Sequence, residues 1–435
     1  MPDSRNLDPS PSSKKHQGQG KTAMPRRRTL IIVENLTLPV DRRVLQQARA
    51  LRDAGYTVSV ICPKGAGFNT SYELLEGIHV FRHPMPLEAS GALGYAVEYS
   101  IALFWQFVLA WRVYFKLGFD VIQACNPPDT IFLIGVFFRI FFGKKFIFDH
   151  HDVSPELYEA KFGKKGFFYR LLLTLERATF RVADISIATN ETFKKIAVER
   201  GKMSPDDVYV VQSVPDLTRF KRVEPNDGLR NGNRFVVGYV GIIGEQDGVD
   251  LLIEAIHELV INQTRRDLQC VIVGRGTEIE NLKDLAKNRG VDHCITFTGY
   301  LTDNDLLSAL STFDIGVIPD PKNAFNDKLT MNKLYEYMAL GIPFVQFELT
   351  QSKILAGDVA LYAHDNEPLN LAAQIAILLN DEDLRNRHAD LGIKRFDQIA
   401  NWNSEKTSLL AAYDRVFPNR ELEASYVASQ RPEIQ

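Results

Sequence analysis

The sequence predicts an α/β protein of two Rossmann-like domains, each built on a parallel sheet, facing each other across a cleft. Three observations predict it. Short buried apolar runs alternate with amphipathic helices over residues 29–215 and again over 235–403. Strands linked by helices pair in parallel, with helices covering both faces of the sheet. Between the two series, residues 216–234 hold Pro225, Gly228 and Gly232 among Asn, Asp and Arg without apolar periodicity, as a linker does. A chain of 435 residues, 45% hydrophobic and 24% charged, is also long enough for two cores.

The elements follow in order. Residues 1–28 are rich in Ser, Pro, Gln, Lys and Arg with no apolar stretch of a signal peptide, and are expected to be a disordered basic tail. A strand at 30–33, a helix at 42–54 closed by Gly55 and a strand at 57–62 open the first domain. Helices are expected at 93–117, 129–142, 165–181 and 190–200, alternating with strands at 119–124, 145–149, 184–188 and 207–212. The second domain reads strand 235–240, helix 248–262, strand 268–273, helix 277–289, strand 294–297, helix 303–311, strand 313–318, helix 331–340 and strand 343–347. Helices at 368–380 and 382–393 complete it. A closing helix at 404–417 is free to cross back to the first domain, and 418–435 reads as a loose tail. Right-handed crossovers place the functional loops at the carboxyl ends of the strands.

Composition excludes several classes. A net charge of −3 argues against a whole-protein attraction to nucleic acid. Cys62, Cys125, Cys270 and Cys294 sit in or beside strand-like runs without CxxC or metal spacing, and are expected as buried thiols of a reducing cytosol. The apolar stretches 99–115 and 131–142 are broken by Gln106, Arg112 and Arg139, and fall short of the roughly 20 residues a spanning helix needs. Lys161, Lys164, Lys165 and Arg170 among Phe162, Phe167, Phe168 and Tyr169 suit shallow contact with a membrane surface. No strand ends in GxGxxG with an acid about 20 residues on, which disfavours an NAD dehydrogenase.

The chemistry gathers at strand ends. In 326–343 a polar loop opens a short helix, with Thr330 as N-cap, Leu334, Tyr337 and Met338 facing the core, and Gly341 and Pro343 as the stop. Lys333 and Glu336 share one face near its start. A lysine there opposes the helix dipole unless an anion is bound, and backbone N–H groups and Lys333 would then converge on one phosphate. Glu336 could accept from sugar or ribose hydroxyls; the alternative is a solvated Lys–Glu pair. Gly241 and Gly244 after the first strand of this domain, and Gly274 and Gly276 after the next, permit close backbone approach to a phosphate. Tyr300 ends a third strand, where it could cover a base.

In the first domain, Asp149-His150-His151-Asp152 ends a strand. Adjacent histidines on a strand point to opposite faces, so a polar site suits them better than a metal. Asn126 and Asp129 flank a strand–helix turn, and Arg42 or Arg43 could meet phosphate in the cleft.

These motifs resemble those of family 4 glycosyltransferases, which have the GT-B fold. The residues carrying the resemblance are 331–343, 237–241 with 248–252, 272–276 and 297–300, and in the first domain 41–44, 50–55 and 148–152; it covers about 29–417. It implies retaining transfer of a sugar from a UDP- or GDP-linked donor to a sugar or lipid-linked acceptor, with no metal and no cofactor. Polysaccharide or lipid-linked glycan assembly in the cytoplasm, with peripheral contact at the inner face of the cytoplasmic membrane, is the expected setting. By the resemblance Glu336 binds the donor's ribose, Lys333 its diphosphate and Gly241 its phosphate, while His151, beside Asp152, is the cleft histidine. The chain departs where many members carry a basic pair, having Ile242 and Asp247, and where they carry a first acid, having Lys328. Lys328 and Lys333 are therefore expected to supply the missing charge. A catalytically silent partner subunit of this fold, or a nucleotide-sugar epimerase, is the alternative.

Overall fold

The computed structural model describes residues 27–65, 67–84 and 91–417. The expected tails fall outside these residues, except that Arg28 already opens the first strand.

The first sheet has eight strands: β1 (Arg28–Val33), β2 (Thr57–Pro63), β3 (Tyr72–Leu75), β4 (Ile78–His83), β5 (Val121–Cys125), β6 (Lys145–His150), β7 (Ile185–Ala188) and β8 (Val208–Val210). Their order is β3-β4-β2-β1-β5-β6-β7-β8. All neighbours are parallel except β3, which runs antiparallel to β4, so this sheet is mixed rather than purely parallel. That hairpin is not among the elements expected from periodicity. Glu76 and Gly77 both take positive φ (49° and 83°) at its turn, the tight geometry that joins two antiparallel strands without a helix.

Six helices belong to this sheet: α1 (Arg42–Asp53), α2 (Gly91–Lys116), α3 (Phe132–Phe142), α4 (Ser154–Phe162), α5 (Phe167–Val182) and α6 (Glu191–Glu199). Helix α4 was not foreseen, because its apolar face is short. Gln106, which interrupts the apolar pattern of α2, is fully buried and donates to Glu34 at the end of β1. That internal bond explains a polar residue on a packed helix.

The second sheet has strands β9 (Phe235–Ile242), β10 (Leu268–Arg275), β11 (Ile295–Gly299), β12 (Ile315–Ile318), β13 (Phe344–Phe347) and β14 (Leu361–Ala363), all parallel in the order β11-β10-β9-β12-β13-β14. Helices α7 (Val249–His257), α8 (Ile279–Asn288), α9 (Asp303–Ser311), α10 (Asn332–Ala339), α11 (Thr350–Ala356), α12 (Pro368–Asn380) and α13 (Glu382–Ile399) surround it. Phe396 of α13 packs in this second core beside Met338 and Tyr335.

The last helix, α14 (Trp402–Val416), crosses back. Leu409, Ala412, Tyr413 and Val416 bury in the first core with Val44, Tyr56 and Cys125. The Tyr413 hydroxyl donates to Gln123 Oε1 at 2.6 Å, and Glu405 Oε2 accepts from the Gln212 N–H at 2.7 Å. Each such buried apolar side chain contributes roughly 1.5–3 kcal/mol, so the first domain is completed by the far end of the chain. All four cysteines are buried free thiols.

Candidate active site

Helix α10 stands where β12 leads into β13, and the first domain closes over its start. Thr330 is not the cap. Met331 takes that place without a side-chain bond, because the Thr330 hydroxyl accepts from Asn190 Nδ2 of the first domain at 3.0 Å. The same Asn190 caps α6 and donates to the Lys328 carbonyl at 3.0 Å. Beneath, the Tyr337 hydroxyl lies within donating distance of the Gly238 and Val317 carbonyls (3.2 and 3.3 Å), fixing the helix to the sheet.

Lys333 and Glu336 are not a solvated pair. Both are buried, at 7% and 4% exposure. Lys333 Nζ lies 2.7 Å from Asp320 Oδ2, in the loop after β12, and 4.6 Å from the centre of the Tyr239 ring. Glu336 Oε1 lies 2.7 Å from the guanidinium of Arg42, which reaches over from the first domain. A charge removed from water needs such a partner. Asp247 lies close by: burial pushes its carboxyl up to about 7, Lys333 pulling it down and Asp320 pushing it further up.

The glycine loops have a use inside the protein. A Cβ on Gly274 would lie 1.9 Å from the Gly241 carbonyl oxygen, and one on Gly276 2.0 Å from that of Ile243. The backbone at Gly274 and Gly276 therefore rests directly on that at Gly241 and Ile243, so packing along this sheet edge already calls for glycine at both positions. The Gly244 N–H donates to Asp247 Oδ2 at 2.9 Å, so the donor expected to face a phosphate is engaged by a neighbour. Gly241 ends β9 on the same edge, and Tyr300, partly exposed, carries the Arg275 guanidinium 5.1 Å above its ring. Lys328 Nζ donates to the Ala324 carbonyl at 2.7 Å and lies 3.6 Å from Glu156 of the first domain. Lys328 and Lys333, expected to supply the charge missing from this edge, thus each already face an acid.

Across the seam the first domain is tightly knit. Arg43, expected near phosphate, donates to Asp149 at 2.8 Å, to the Val211 carbonyl at 2.7 Å, to Ser213 at 3.0 Å and toward His151 Nε2 at 3.0 Å. Its donors are committed within the domain, so it holds the fold rather than a ligand. Asn126 is likewise a staple. Its Oδ1 accepts the His151 and Asp152 N–H groups at 2.7 and 3.2 Å, and its Nδ2 donates to the Asp152 carbonyl at 2.6 Å. Its second Nδ2 hydrogen goes to Asp129 Oδ1 at 3.0 Å, so this buried amide has all four of its bonds made within the domain.

The two histidines part as alternation requires. His150 is fully buried among Phe148, Phe180 and Phe193, 3.6 Å from Glu176. His151 is partly exposed, with Nε2 2.9 Å from Asp149 Oδ2, and Asp152 follows it on the loop. Burial raises the Asp149 carboxyl, but Arg43 and His151 outweigh it and hold the group well below its usual range. Burial raises Asp152. Among the described residues, ligand atoms of Cys125, Asp149 and His151 lie within 4.8 Å of one another. The Arg43 guanidinium on Asp149 and His151 makes that group a poor host for a cation, and burial holds the Cys125 thiol protonated. Asp320 and Asn190 are contributors that sequence reasoning did not single out, and Arg42, named there as the alternative to Arg43, is the arginine that reaches across the seam. An acid in Pro319-Asp320-Pro321 at a strand end was the one available signal.

Known proteins share both halves of this fold. A family model for Glycosyltransferase Family 4 matches residues 40–219, and one for Glycosyl transferases group 1 matches 234–381. The uncharacterised glycosyltransferase MJ1069 of Methanocaldococcus jannaschii is 21% identical over 70% of this chain and 78% of its own. The solved sucrose-phosphate synthase of Thermosynechococcus elongatus superposes with a TM-score of 0.73 at 18% identity, covering 90% of this chain and 99% of that one. Anabaena HepE, solved with UDP and glucose, gives 0.66 at 17% identity, covering 89% and 100%. The chain is a glycosyltransferase of GT-B architecture, its first domain of the family 4 type and its second of the group 1 type.

Proposed function

We propose that the chain transfers a sugar from a UDP-linked donor to a hydroxyl of a carbohydrate or lipid-linked acceptor, with retention of configuration and without a resident metal, in polysaccharide or glycan assembly. One observation carries the donor reading. The amino end of α10 lies on the interdomain seam, not on the outer surface, and presents Lys333 and Glu336 there beneath first-domain residues. A helix start with a buried ammonium receives a diphosphate, and an adjacent buried carboxylate receives ribose hydroxyls. His151 and Asp152 stand on the first-domain side of the seam, where the transferred sugar and acceptor would meet. The protein's part is to hold the diphosphate while negative charge develops on it as the glycosidic bond opens.

The outer face supports work in the cytoplasm at a membrane surface. On α2, Val97, Ile101, Phe104, Val108 and Phe115 are exposed at helical spacing, and on neighbouring α3 so are Ile140 and Phe141. Lys116, Lys144 and Lys145 flank them. No described helix is long and apolar enough to cross a membrane. Binding to anionic but not neutral vesicles, lost on Phe104→Glu/Phe141→Glu, is the expected result; equal sedimentation of both proteins would end that part.

The donor reading is tested by thermal shift with UDP and GDP, followed by product analysis with UDP-sugars and an acceptor panel. Stabilisation by UDP and a product of unchanged anomeric configuration are expected. No shift with either nucleotide would favour a silent partner subunit, and sugar isomerisation without acceptor would favour an epimerase.

A further inference from the structure

The second domain alone is short of positive charge for a diphosphate. Ile242 and Asp247 occupy the positions where the resemblance implies a basic pair. Lys333 is neutralised by Asp320 at 2.7 Å with Asp247 also in its field, and Lys328 is turned to Glu156. Around the start of α10 acids outnumber bases, which opposes a second anion arriving there.

We propose that Arg42, from the first domain, is the cation that binds the donor's diphosphate. The inference rests on the donor reading above and adds to it the group that supplies the charge. Arg42 is the first residue of α1, and its backbone is held there by the Asp41 cap on Val44 N at 3.0 Å. Its side chain is half exposed, yet a terminal nitrogen lies 2.7 Å from Glu336 Oε1, which is nearly inaccessible. Adjacent Arg43 is 9% exposed and bonded wholly within its own domain. The two arginines are thus divided between one that holds the fold and one free to exchange partners.

The exchange follows from chemistry. Ribose hydroxyls donate to a carboxylate as a guanidinium does, so a ribose arriving on Glu336 competes directly with Arg42. The displaced guanidinium then lies beside the diphosphate of the same molecule, whose oxygens match its planar fork. Arg42 passes from carboxylate to phosphate, and no bond is made or broken. The ammonium of Lys333 and the guanidinium of Arg42 then flank the leaving group from opposite domains, so the donor itself draws the two together.

The test compares UDP with uridine by calorimetry in wild type, Arg42→Gln and Arg42→Lys. Arg42→Gln is expected to weaken UDP about tenfold or more, and Arg42→Lys to recover part of that. Uridine, which lacks the diphosphate, is expected to bind at least as tightly in both variants as in wild type, because its ribose no longer has the same guanidinium to displace from Glu336, an outcome that general damage to the fold would not produce. UDP affinity unchanged in Arg42→Gln, or equal losses for UDP and uridine, would overturn the inference while leaving the donor reading intact. Absence of UDP and GDP binding in the wild type would overturn the donor reading itself and the inference with it. Should Arg42→Gln not fold, Arg42→Lys decides alone: severalfold weaker UDP with uridine no weaker supports the proposal, and unchanged UDP sinks it.

Discussion

The two strand edges that face each other across the seam are built on opposite plans. On the first-domain edge, Arg43, Asp149, His151 and Asn126 form a closed lattice in which donors and acceptors meet inside one domain. On the second-domain edge, Glu336 takes its partner from the other domain, Lys328 faces Glu156 there, and Asn190 reaches over to Thr330. A closed lattice resists change and fixes geometry. Bonds across a seam can be traded for bonds to a ligand, because parting the domains breaks them without unfolding either.

That contrast can be broken most sharply at Arg43. Arg43→Ala takes the guanidinium from buried Asp149 and leaves it His151 and the Gln123 amide, with an expected loss of about 3 kcal/mol in denaturant unfolding. A loss below about 1 kcal/mol would mean that the lattice is not what holds this edge. Next is Asp129, whose carboxyl burial lifts to about 6, with nearby Glu176 adding to the effect. A carboxyl raised from 3.8 carries no penalty while protonated in both states; the penalty grows from about pH 4 to about 6 and is constant above. Stability is therefore expected to fall by up to about 3 kcal/mol as pH rises through that window, and Asp129→Asn to flatten it in pH-dependent melts.

The second edge should respond in ligand affinity instead. Glu336→Gln is expected to weaken UDP-sugar binding about tenfold, because a charge-assisted acceptor is lost, with little change in melting temperature since its partner Arg42 is half exposed. A large fall in melting temperature would place Glu336 with the structural group. The smallest effect belongs to Asp247. Ionising as pH rises through about 7, it adds negative charge near Lys333, so UDP affinity should decline severalfold above neutrality. Asp247→Asn should remove that slope in calorimetry at pH 6 and pH 8.

Periodicity made the long elements legible, and both parallel sheets with them, because helix and strand periods differ and each parallel strand is buried on both faces. It missed β3 and β4, whose turn is two residues long, and α4, α11 and β14, which are too short for a period to show. The site was legible as a place but not as a set of bonds. Lys333 and Glu336 were found from spacing, whereas their partners Asp320 and Arg42 lie 13 and 294 positions away. Nothing local distinguishes Arg42 from Arg43, and the glycines near Gly241 satisfy backbone packing before any ligand. Thr330 looked like a cap because its competing partner, Asn190, sits in the other domain.

The return of α14 also governs how this molecule can be made. A ribosome releases residues 27–217 long before Leu409 and Tyr413 emerge, so the first sheet must wait with an uncovered apolar face until synthesis is nearly finished. A protein cut after the interdomain linker would keep that face bare, and removing the last two turns of α14 would injure the amino-terminal half of the chain.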